Sequence, residues 1–211
     1  MKRPVVILGA GGHAKVLIDL LVLQGIEVLG LIEQPGNVLK KSVLGVPLLG
    51  DETVIDAYRP ELVDLILGLG SVDVSPVRKL LYDRFRLQGY RFRAAVHTSA
   101  IVSPHVVLGE GVQLMAASVI QAGCQIGSNC IINTRASVDH DCKIDDHVHV
   151  APGVTISGGV RIGEMSHIGT GAVIVQGVKI GRNCLIASGA VVVRDVQDGS
   201  RVAGVPAREI V

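Results

Sequence analysis

The sequence has no tryptophan and only five aromatic residues, two Phe and three Tyr, among its 211 residues. It also lacks an excess of either charge, because 20 Lys and Arg balance 19 Asp and Glu to a net charge of +1. Nucleic-acid binding is not expected, since it requires basic side chains for phosphates and aromatic rings for bases. No apolar run approaches the roughly 18 residues of a membrane-spanning helix, so we expect no membrane insertion.

The N-terminal segment does not have the pattern of a secretory leader. The apolar stretch Val5–Leu8 ends at once in the glycine-rich stretch Gly9–Gly12 and is shorter than a leader's h-region. The four cysteines occur without any other mark of a secreted disulfide scaffold. We therefore expect a cytoplasmic protein.

Residues 1–92 alternate aliphatic strands with amphipathic helices. Strands are predicted at Val5–Leu8, Val28–Ile32 and Leu62–Leu67, with a helix after the first strand. A second helix follows the third strand and carries an apolar face of Val77, Leu80, Leu81 and Phe85. This alternation predicts a parallel sheet with right-handed crossovers, an α/β Rossmann-like subdomain.

The turn after the first strand fits the G-x-G-x-x-A form of the nucleotide-binding fingerprint. In Gly9–Ala14 the glycines let backbone N–H groups approach a diphosphate at the positive end of the next helix. Glu33 ends the second strand, where a carboxylate could meet a ribose hydroxyl. The alternative is a tight turn without a ligand and a solvated Glu33. Three visible strands favour a nucleoside diphosphate over a complete dinucleotide.

Residues 93–211 repeat with a period of six. From Val102 to Val192 every sixth residue, sixteen positions in all, is Leu, Ile or Val, and the residue two positions earlier is small. Three hexapeptides make a triangular coil of 18 residues, so the pattern predicts a β-solenoid of stacked parallel strands. All four cysteines, Cys124, Cys130, Cys142 and Cys184, fall on the small inward position. A thiol there acts as a small hydrophobe, and we favour this over a metal site or disulfides.

Several motifs resemble the hexapeptide-superfamily acetyltransferases of bacteria that act on nucleotide-linked 4-amino sugars, a group that includes sialic acid O-acetyltransferases. The residues that carry the resemblance are Gly9–His13, Ile132–Thr134, Ser137–Cys142, His147–Gly153 and the tail Ala203–Arg208. The resemblance implies an all-β left-handed parallel β-helix after the α/β subdomain. It divides the chain into a nucleotide-sugar-binding βαβ domain, 1–92, and an acetyltransferase domain with a C-terminal CoA-binding tail, 93–211.

By resemblance, the catalytic residues are His140 as general base and Asp141 as the carboxylate that raises its basicity. Neighbours on a flat strand point to opposite faces, so this pairing requires a corner of the coil or a partner from another subunit. Asp139 is the rival for the same role. The alternative for His140 is an exposed polar residue on a coil face.

The remaining site residues also come from the resemblance. The residues implied for acetyl-CoA are His149, Thr170, Ser188 and Gly204. Those implied for the nucleotide sugar are Gly11, Gly12, His13, Glu33, Gln34 and Gly70. An imidazole N–H of His149 could support the oxyanion, and His167, 18 residues later, should stack beside it. The alternative is a surface histidine ladder without a role.

The implied function is acetyl transfer from acetyl-CoA to the amino group of a nucleotide-diphosphate-linked 4-amino-4,6-dideoxy sugar. Such a product would serve glycan, O-antigen or protein-glycosylation pathways. The enzyme would be a homotrimer with sites between subunits and without a metal. The alternatives are O-acetylation of a sialic acid and a non-catalytic solenoid that only binds nucleotide sugar. A metal-dependent hydratase is a third, weakened because no two histidines have the spacing of that zinc site.

Overall fold

The computed structural model describes residues 2–34 and 41–210. By contacts the chain divides into two compact units: residues 1–70 with 77–98, the N-terminal unit, and 71–76 with 99–211, the solenoid unit. No helix in the described part of the chain has both the length and the apolar character to cross a membrane.

The N-terminal unit is an α/β fold, as the alternating pattern predicts. Its elements are β1 Val5–Leu8, α1 Gly12–Leu23, β2 Val28–Ile32, β3 Ser42–Val43, β4 Val46–Gly50, a 3₁₀ helix Glu52–Ala57, β5 Asp64–Leu67, α2 Val77–Leu87, β6 Arg91–Phe92 and β7 Ala95–Val96. The sheet order is β3-β4-β2-β1-β5-β6, with β1 parallel to both β2 and β5. The strand order therefore reverses at β1, where ligands of such sheets bind beyond the carboxyl ends of the strands.

The sheet extends beyond the three predicted strands. β3 and β4 form a hairpin across the two-residue turn Leu44–Gly45, both with positive φ, and β6 adds an edge beside β5. An X-Gly pair between short apolar runs is a recognised hairpin signal, but the flanking runs here are too short to stand out. The third predicted strand begins too early, since Leu62 is exposed and the strand starts at Asp64.

Helix α2 buries only part of the predicted face, in which Phe85 is buried and Leu81 packs against the core. Val77 and Leu80 are exposed, and the buried residues are Arg78, Tyr82 and Phe85. Arg78 is tolerated in this face because its guanidinium donates to the backbone carbonyls of Leu67 and Leu69 at the end of β5. The apolar stripe in the sequence was therefore an incomplete guide to the packed face.

The solenoid unit is built from two-residue strands at intervals of six residues. They are β8 Ile101–Val102, β9 Val107–Leu108, β10 Gln113–Leu114, β11 Val119–Ile120, β12 Gln125–Ile126, β13 Ile131–Ile132, β14 Ser137–Val138, β15 Lys143–Ile144, β16 His149–Val150, β17 Thr155–Ile156, β18 Arg161–Ile162, β19 His167–Ile168, β20 Val173–Ile174, β21 Lys179–Ile180, β22 Leu185–Ile186 and β23 Val191–Val192, then the tail strands β24 Arg201–Ala203 and β25 Arg208–Glu209. From β8 to β20 each strand pairs in parallel with the strand 18 residues along, as Ile131 does with His149. At the C-terminal end the spacing shortens, and Leu185 of β22 pairs with Arg201 of β24. This confirms the predicted 18-residue coil.

Three stacked sheets form the faces of the solenoid. The first face contains β10, β13, β16, β19, β22 and β24, the second contains β8 to β23 in steps of three, and the third contains β9 to β21 in the same steps. In β8 to β23 the second residue of each strand points inward, and from Leu114 to Val192 these residues are buried. The four cysteines are buried free thiols, so their predicted role as small core residues is confirmed.

Candidate active site

His140 and Asp141 form a hydrogen-bonded pair at a corner of the solenoid. Strand β14 ends at Val138, and Asp139, His140 and Asp141 make the turn that leads to β15. Asp141 has the positive φ of +59°, which turns its side chain toward His140. His140 Nδ1 lies 2.8 Å from Asp141 Oδ2. The corner thus allows the contact that a flat strand would prevent.

The carboxylate fixes the state of the imidazole. An ionised carboxylate only accepts hydrogen bonds, so Nδ1 carries the proton and Nε2 has the lone pair. Nε2 makes no hydrogen bond with the residues that the structure describes. The hydrogen bond that Nδ1 donates to Asp141 raises the pKa of His140, and the negative charge of Asp139 raises it further. This is the arrangement of a base whose nitrogen faces solvent.

Asp139, the other candidate for supporting His140, does not contact the imidazole ring. Its Oδ1 accepts a hydrogen bond from the backbone N–H of His140 at 2.8 Å, which closes the corner. It affects the imidazole through its charge, whereas Asp141 contacts the ring directly. Within one chain the structure therefore pairs the ring with Asp141.

His149 and His167 lie side by side on the first face, one coil apart. Their strands pair at these positions, and the ring centroids are 4.9 Å apart at an angle of 89°. Both side chains are buried, so they are not a surface ladder. Ser71 Oγ lies 2.9 Å from Nδ1 of His149 and 3.4 Å from Nδ1 of His167. A serine 78 residues away in sequence therefore bridges the two rings.

Asn133 sets the direction of these hydrogen bonds. Its Oδ1 accepts from the backbone N–H of Thr134 at 2.8 Å, so its Nδ2 is the group that faces Nε2 of His149 at 3.2 Å. Because Nδ2 donates, Nε2 of neutral His149 accepts and its Nδ1 carries the proton toward Ser71. In this arrangement Nε2 of neutral His149 has no proton, so it cannot donate a hydrogen bond to a ligand.

The second histidine is held in its neutral form. Burial lowers the pKa of His167, and the charge of Asp73 opposes this shift only partly. Asp73 is itself paired with Arg201 of β24 at 3.3 Å, and the pKa of its carboxyl is lowered by hydrogen bonds from Val74 and Arg201. The segment 71–76 therefore contributes both a hydroxyl and a carboxylate to the first face.

The other residues implied for acetyl-CoA lie along one corner and in the tail. Thr170 and Ser188 are exposed turn residues in successive coils, and the carbonyl of Thr170 accepts from the N–H of Gly189. Gly204 has the positive φ of +98° in the turn between β24 and β25. Its carbonyl accepts from the N–H of Val191, close to Ser188 in the preceding coil. The structure thus gathers Ser188 and Gly204 at the C-terminal end of the solenoid.

In the N-terminal unit the glycine-rich turn begins α1. Gly11 is the N-cap, without a capping side chain, and the first turn of the helix has no acidic residue. A Cβ built on Gly11 or Gly12 would meet no atom of the described residues within 4 Å, apart from chain neighbours and the helix backbone, so there is room beside this end of α1. His13 follows in α1, and a Cβ built on Gly70, after β5, would lie 3.5 Å from the Cβ of His13. Exposed helix N-termini favour anions such as a diphosphate.

Glu33 and Gln34 line a cleft at the carboxyl ends of β1 and β2. The cleft is small, about 20 Å³ in volume, with Gly9 and Leu69 also in its wall. Glu33 Oε2 accepts from the N–H of Ala10, and its Oε1 accepts from the N–H of Gln34, both at 2.9 Å. Glu33 therefore also stabilises the glycine-rich turn, a role that the sequence did not indicate.

A larger cavity lies away from these residues. A groove of about 380 Å³ runs along the third face beside β9, β12 and β15, and residues such as Lys143, Asp145 and Arg182 line it. None of the residues predicted for the site is among those described in its lining. Across residues 2–34 and 41–210, no group of three or more His, Cys, Asp or Glu side chains has the arrangement of a metal site.

Ser71 and Asn133 were not predicted as site residues. Asn133 belongs to a motif of the resemblance and directly follows β13, 16 residues before His149, so the sequence did offer a signal for it. No pattern in the sequence marked Ser71 as a site residue, because a serine after a glycine-rich strand end is common. Only the path of the segment 71–76 brings it to the histidines.

Two family models match the sequence. The model described as bacterial transferase hexapeptide (six repeats) matches residues 105–138, 126–158 and 159–194, and the PglD N-terminal domain matches residues 4–85. The fold and repeat together define the class: a transferase whose solenoid is a left-handed parallel β-helix.

Solved structures match over the whole length. Perosamine N-acetyltransferase from Caulobacter crescentus, a histidine-to-asparagine variant in complex with CoA and GDP-perosamine, is 39% identical over 98% of this chain and 96% of that chain, with a TM-score of 0.91. The acetyltransferase domain of PglB from Neisseria gonorrhoeae, in complex with acetyl coenzyme A, is 35% identical over 100% of both chains, with a TM-score of 0.92. WeeI from Acinetobacter baumannii is 27% identical over 99% of this chain and 100% of that chain, with a TM-score of 0.88. The chain belongs to the acetyltransferase family that joins a PglD N-terminal domain to a hexapeptide β-helix, and it is an acyltransferase.

Proposed function

We propose that this protein transfers the acetyl group of acetyl-CoA to the amino group of a nucleotide-diphosphate-linked 4-amino-4,6-dideoxy sugar. The observation that carries the proposal is the His140–Asp141 pair, whose Nε2 has a lone pair directed away from the carboxylate. The full-length similarity to an N-acetyltransferase solved with CoA and GDP-perosamine supports the choice of an amino sugar.

The two domains divide the work in this proposal. Domain 1–92 binds the nucleotide sugar, with the diphosphate at Gly11, Gly12 and His13 and the nucleoside beside Glu33, Gln34 and Gly70. Domain 93–211 binds acetyl-CoA, and its phosphopantetheine arm runs past Thr170, Ser188 and Gly204. The open N-terminus of α1 and the exposed corner of the solenoid support these assignments.

The proposed reaction is a direct attack. The neutral amine forms a C–N bond with the thioester carbonyl carbon while His140 Nε2 takes a proton from the nitrogen. The tetrahedral intermediate then breaks its C–S bond, and the imidazolium returns the proton to the departing sulfur. The products are the N-acetyl sugar and the CoA thiol, and Asp141 holds the ring by Nδ1 throughout.

The oxyanion of the intermediate needs a donor, and we place His149 beside it. Because Nε2 of neutral His149 accepts from Asn133, direct donation from this nitrogen requires protonated His149. Backbone N–H groups are the neutral donors commonly used for such charge. In the proposal His149 therefore orients the acetyl group, and Asn133 and Ser71 hold its ring.

The assembly and location follow from the same proposal. Flat-faced prisms of hexapeptide repeats bury a face by trimerisation, which creates clefts between subunits, and we propose a homotrimer with its sites there. Both co-substrates are cytoplasmic metabolites, so the reaction belongs in the cytoplasm and feeds glycan biosynthesis such as that of an O-antigen.

The test is acetyl-CoA turnover, measured as thiol release, against UDP-, GDP- and dTDP-linked 4-amino sugars and against free and CMP-linked sialic acids. We expect turnover with an amino sugar, which would also identify the base. Turnover with sialic acids alone would move the reaction from nitrogen to oxygen. CoA binding without turnover on any acceptor would contradict the proposal.

The role of His140 is tested in the same assay. We expect His140→Ala to lower kcat by about 10²–10⁴-fold, or roughly 3–5 kcal/mol of barrier, because the proton acceptor is lost. CoA affinity, measured by calorimetry, should not change. His105→Ala removes another exposed turn histidine and should retain full activity. Equal activity of the two variants would remove His140 from the mechanism.

A further inference from the structure

The His140–Asp141 pair lies between two glycines from neighbouring coils. Positions 18 residues apart stack in this solenoid, so Gly158 follows His140 by one coil and Gly123 precedes Asp141 by one coil. The stacking is direct, because the N–H of Gly159 donates to the carbonyl of His140 and the N–H of Asp141 donates to the carbonyl of Ala122. The two side chains can therefore make their contact only if the residues stacked above and below them leave enough space.

Gly158 leaves open the space that the imidazole occupies. A Cβ atom built on Gly158 would lie 2.5 Å from Nε2 of His140, 2.6 Å from Cε1 and 3.1 Å from Cδ2. These three ring atoms are its nearest neighbours, and two of the distances are much shorter than a carbon contact permits. The backbone of Gly158 has no positive φ, so its conformation alone would accept an alanine.

Gly123 has the same relation to the carboxylate. A Cβ on this residue would lie 2.4 Å from Oδ1 of Asp141. Its φ of +79° gives a second reason for glycine, because L side chains rarely adopt this conformation. Of these two positions, Gly158 is therefore the one where a larger residue is excluded by lack of space and not by the backbone conformation.

Gly163, in another turn of the solenoid, is a glycine for a different reason. A Cβ on Gly163 would meet backbone atoms of the next coil, Arg182 N and Gly181 C, each at 2.7 Å. Backbone cannot move aside without separating the coils, so such a glycine is required by the fold. At Gly158 the obstacle is the far end of an exposed side chain, which can rotate away at little cost in stability.

We propose that Gly158 is a positioning residue for the general base, which keeps the imidazole of His140 against Asp141 and keeps Nε2 accessible to the acceptor amine. This inference rests on the proposed function. A methyl group at position 158 either displaces the ring, which breaks the bond between Nδ1 and Asp141, or covers the nitrogen that receives the proton. In both cases the fold survives and the base is misplaced.

The experiment compares Gly158→Ala with Gly163→Ala, which adds the same methyl group against backbone. We expect Gly158→Ala to keep the Tm within a few degrees and to lower kcat by about 10–10³-fold, with little change in the KM for acetyl-CoA. Gly163→Ala should lower the Tm clearly and leave kcat per folded molecule near that of the unchanged protein. The reverse pattern would overturn the proposal.

A double-mutant cycle shows whether the effect passes through His140. If Gly158 acts by positioning the base, Gly158→Ala should cost nothing further in the His140→Ala background. An equal loss of kcat in both backgrounds would mean that Gly158 acts independently, which overturns the inference.

A readout without turnover separates this inference from the proposed function. The imidazole of His140 is titrated by NMR in the whole protein, with and without Gly158→Ala. Loss of the contact with Asp141 should move the pKa of His140 down toward that of an ordinary imidazole. An unchanged titration with an unchanged ring environment would contradict the positioning role, even if the acceptor sugar had been misjudged.

Discussion

At the scale of single residues, the chemistry depends on a histidine whose two nitrogens have different surroundings. Nδ1 of His140 faces the carboxylate of Asp141 at 2.8 Å, and Nε2 faces outward over Gly158. Since Asp141 is acceptor-only when ionised, the neutral ring has one tautomer and its basic nitrogen is always the outward one. A single neighbouring side chain thus decides both the basicity and the direction of the base.

The raised pKa of His140 gives a testable pH dependence. The base must be neutral, so kcat/KM should fall as pH drops through the pKa of His140, and this limb should lie above the ordinary imidazole value of about 6.5. Asp141→Asn keeps the shape and removes the charge, so the limb should move to lower pH. The measurement is kcat/KM against pH for both proteins.

Asp139→Asn is the matched control for that profile. Its amide oxygen can still accept from the N–H of His140, so the corner remains closed, and only a charge at longer range is lost. We expect a smaller shift of the limb than in Asp141→Asn. A larger shift in Asp139→Asn would assign the supporting role to Asp139 instead.

At the scale of elements, each hexapeptide has one small inward position, and its side chain must suit a dry interior. Ser118 and Ser166 both occupy this position and are buried. Ser166 Oγ donates to the carbonyl of Gly181 at 2.7 Å and accepts from the N–H of Cys184 at 3.0 Å. Ser118 Oγ has no hydrogen-bond partner among the described residues. The same residue type is therefore satisfied in one coil and not in the other.

These two serines should respond oppositely to alanine. Ser166→Ala leaves a buried carbonyl and N–H unpaired and should lower the free energy of unfolding by about 1–3 kcal/mol. Ser118→Ala removes an unsatisfied hydroxyl and should be neutral or stabilising by up to about 1 kcal/mol. Denaturant unfolding at one pH measures both variants. A loss of more than about 1 kcal/mol in Ser118→Ala would mean that the hydroxyl has a partner, such as a buried water.

At the scale of the whole molecule, the proposal assigns the two substrates to different domains. The open N-cap at Gly11 allows this division to be tested with one position. Asp and Asn are equally good N-caps, so Gly11→Asp and Gly11→Asn should have the same effect on helix α1. They differ in charge, and a carboxylate at this point repels a diphosphate.

We expect Gly11→Asp to raise the KM for the nucleotide sugar by about tenfold over that of Gly11→Asn, equivalent to about 1.4 kcal/mol of repulsion. The KM for acetyl-CoA should be the same in both variants, because that substrate is assigned to the solenoid. The assay is steady-state thiol release with each substrate varied in turn. Equal KM values for the nucleotide sugar would place the diphosphate elsewhere.

The sequence by itself determined the parts of this protein that repeat or that depend on near neighbours. The period of six predicted the 18-residue register, the inward residues and the buried cysteines, because each coil is satisfied by the coils next to it at a fixed spacing. The bounds of β1 and β2 followed in the same way from continuous apolar runs. The resemblance supplied His140 and Asp141 as candidates, but not their contact.

Only the tertiary structure decided the features that depend on the path of the chain between distant segments. The corner conformation of Asp141 allows it to reach His140, where two neighbours on a flat strand would diverge. The segment 71–76 brings Ser71 to His149, and no local pattern encodes such a path. The edge strands were missed, as were Arg78 and Tyr82 in the buried face of α2, because they are set by the sheet they pack against. Periodic contacts are local and can be read from spacing, whereas these contacts join positions whose separation follows no period.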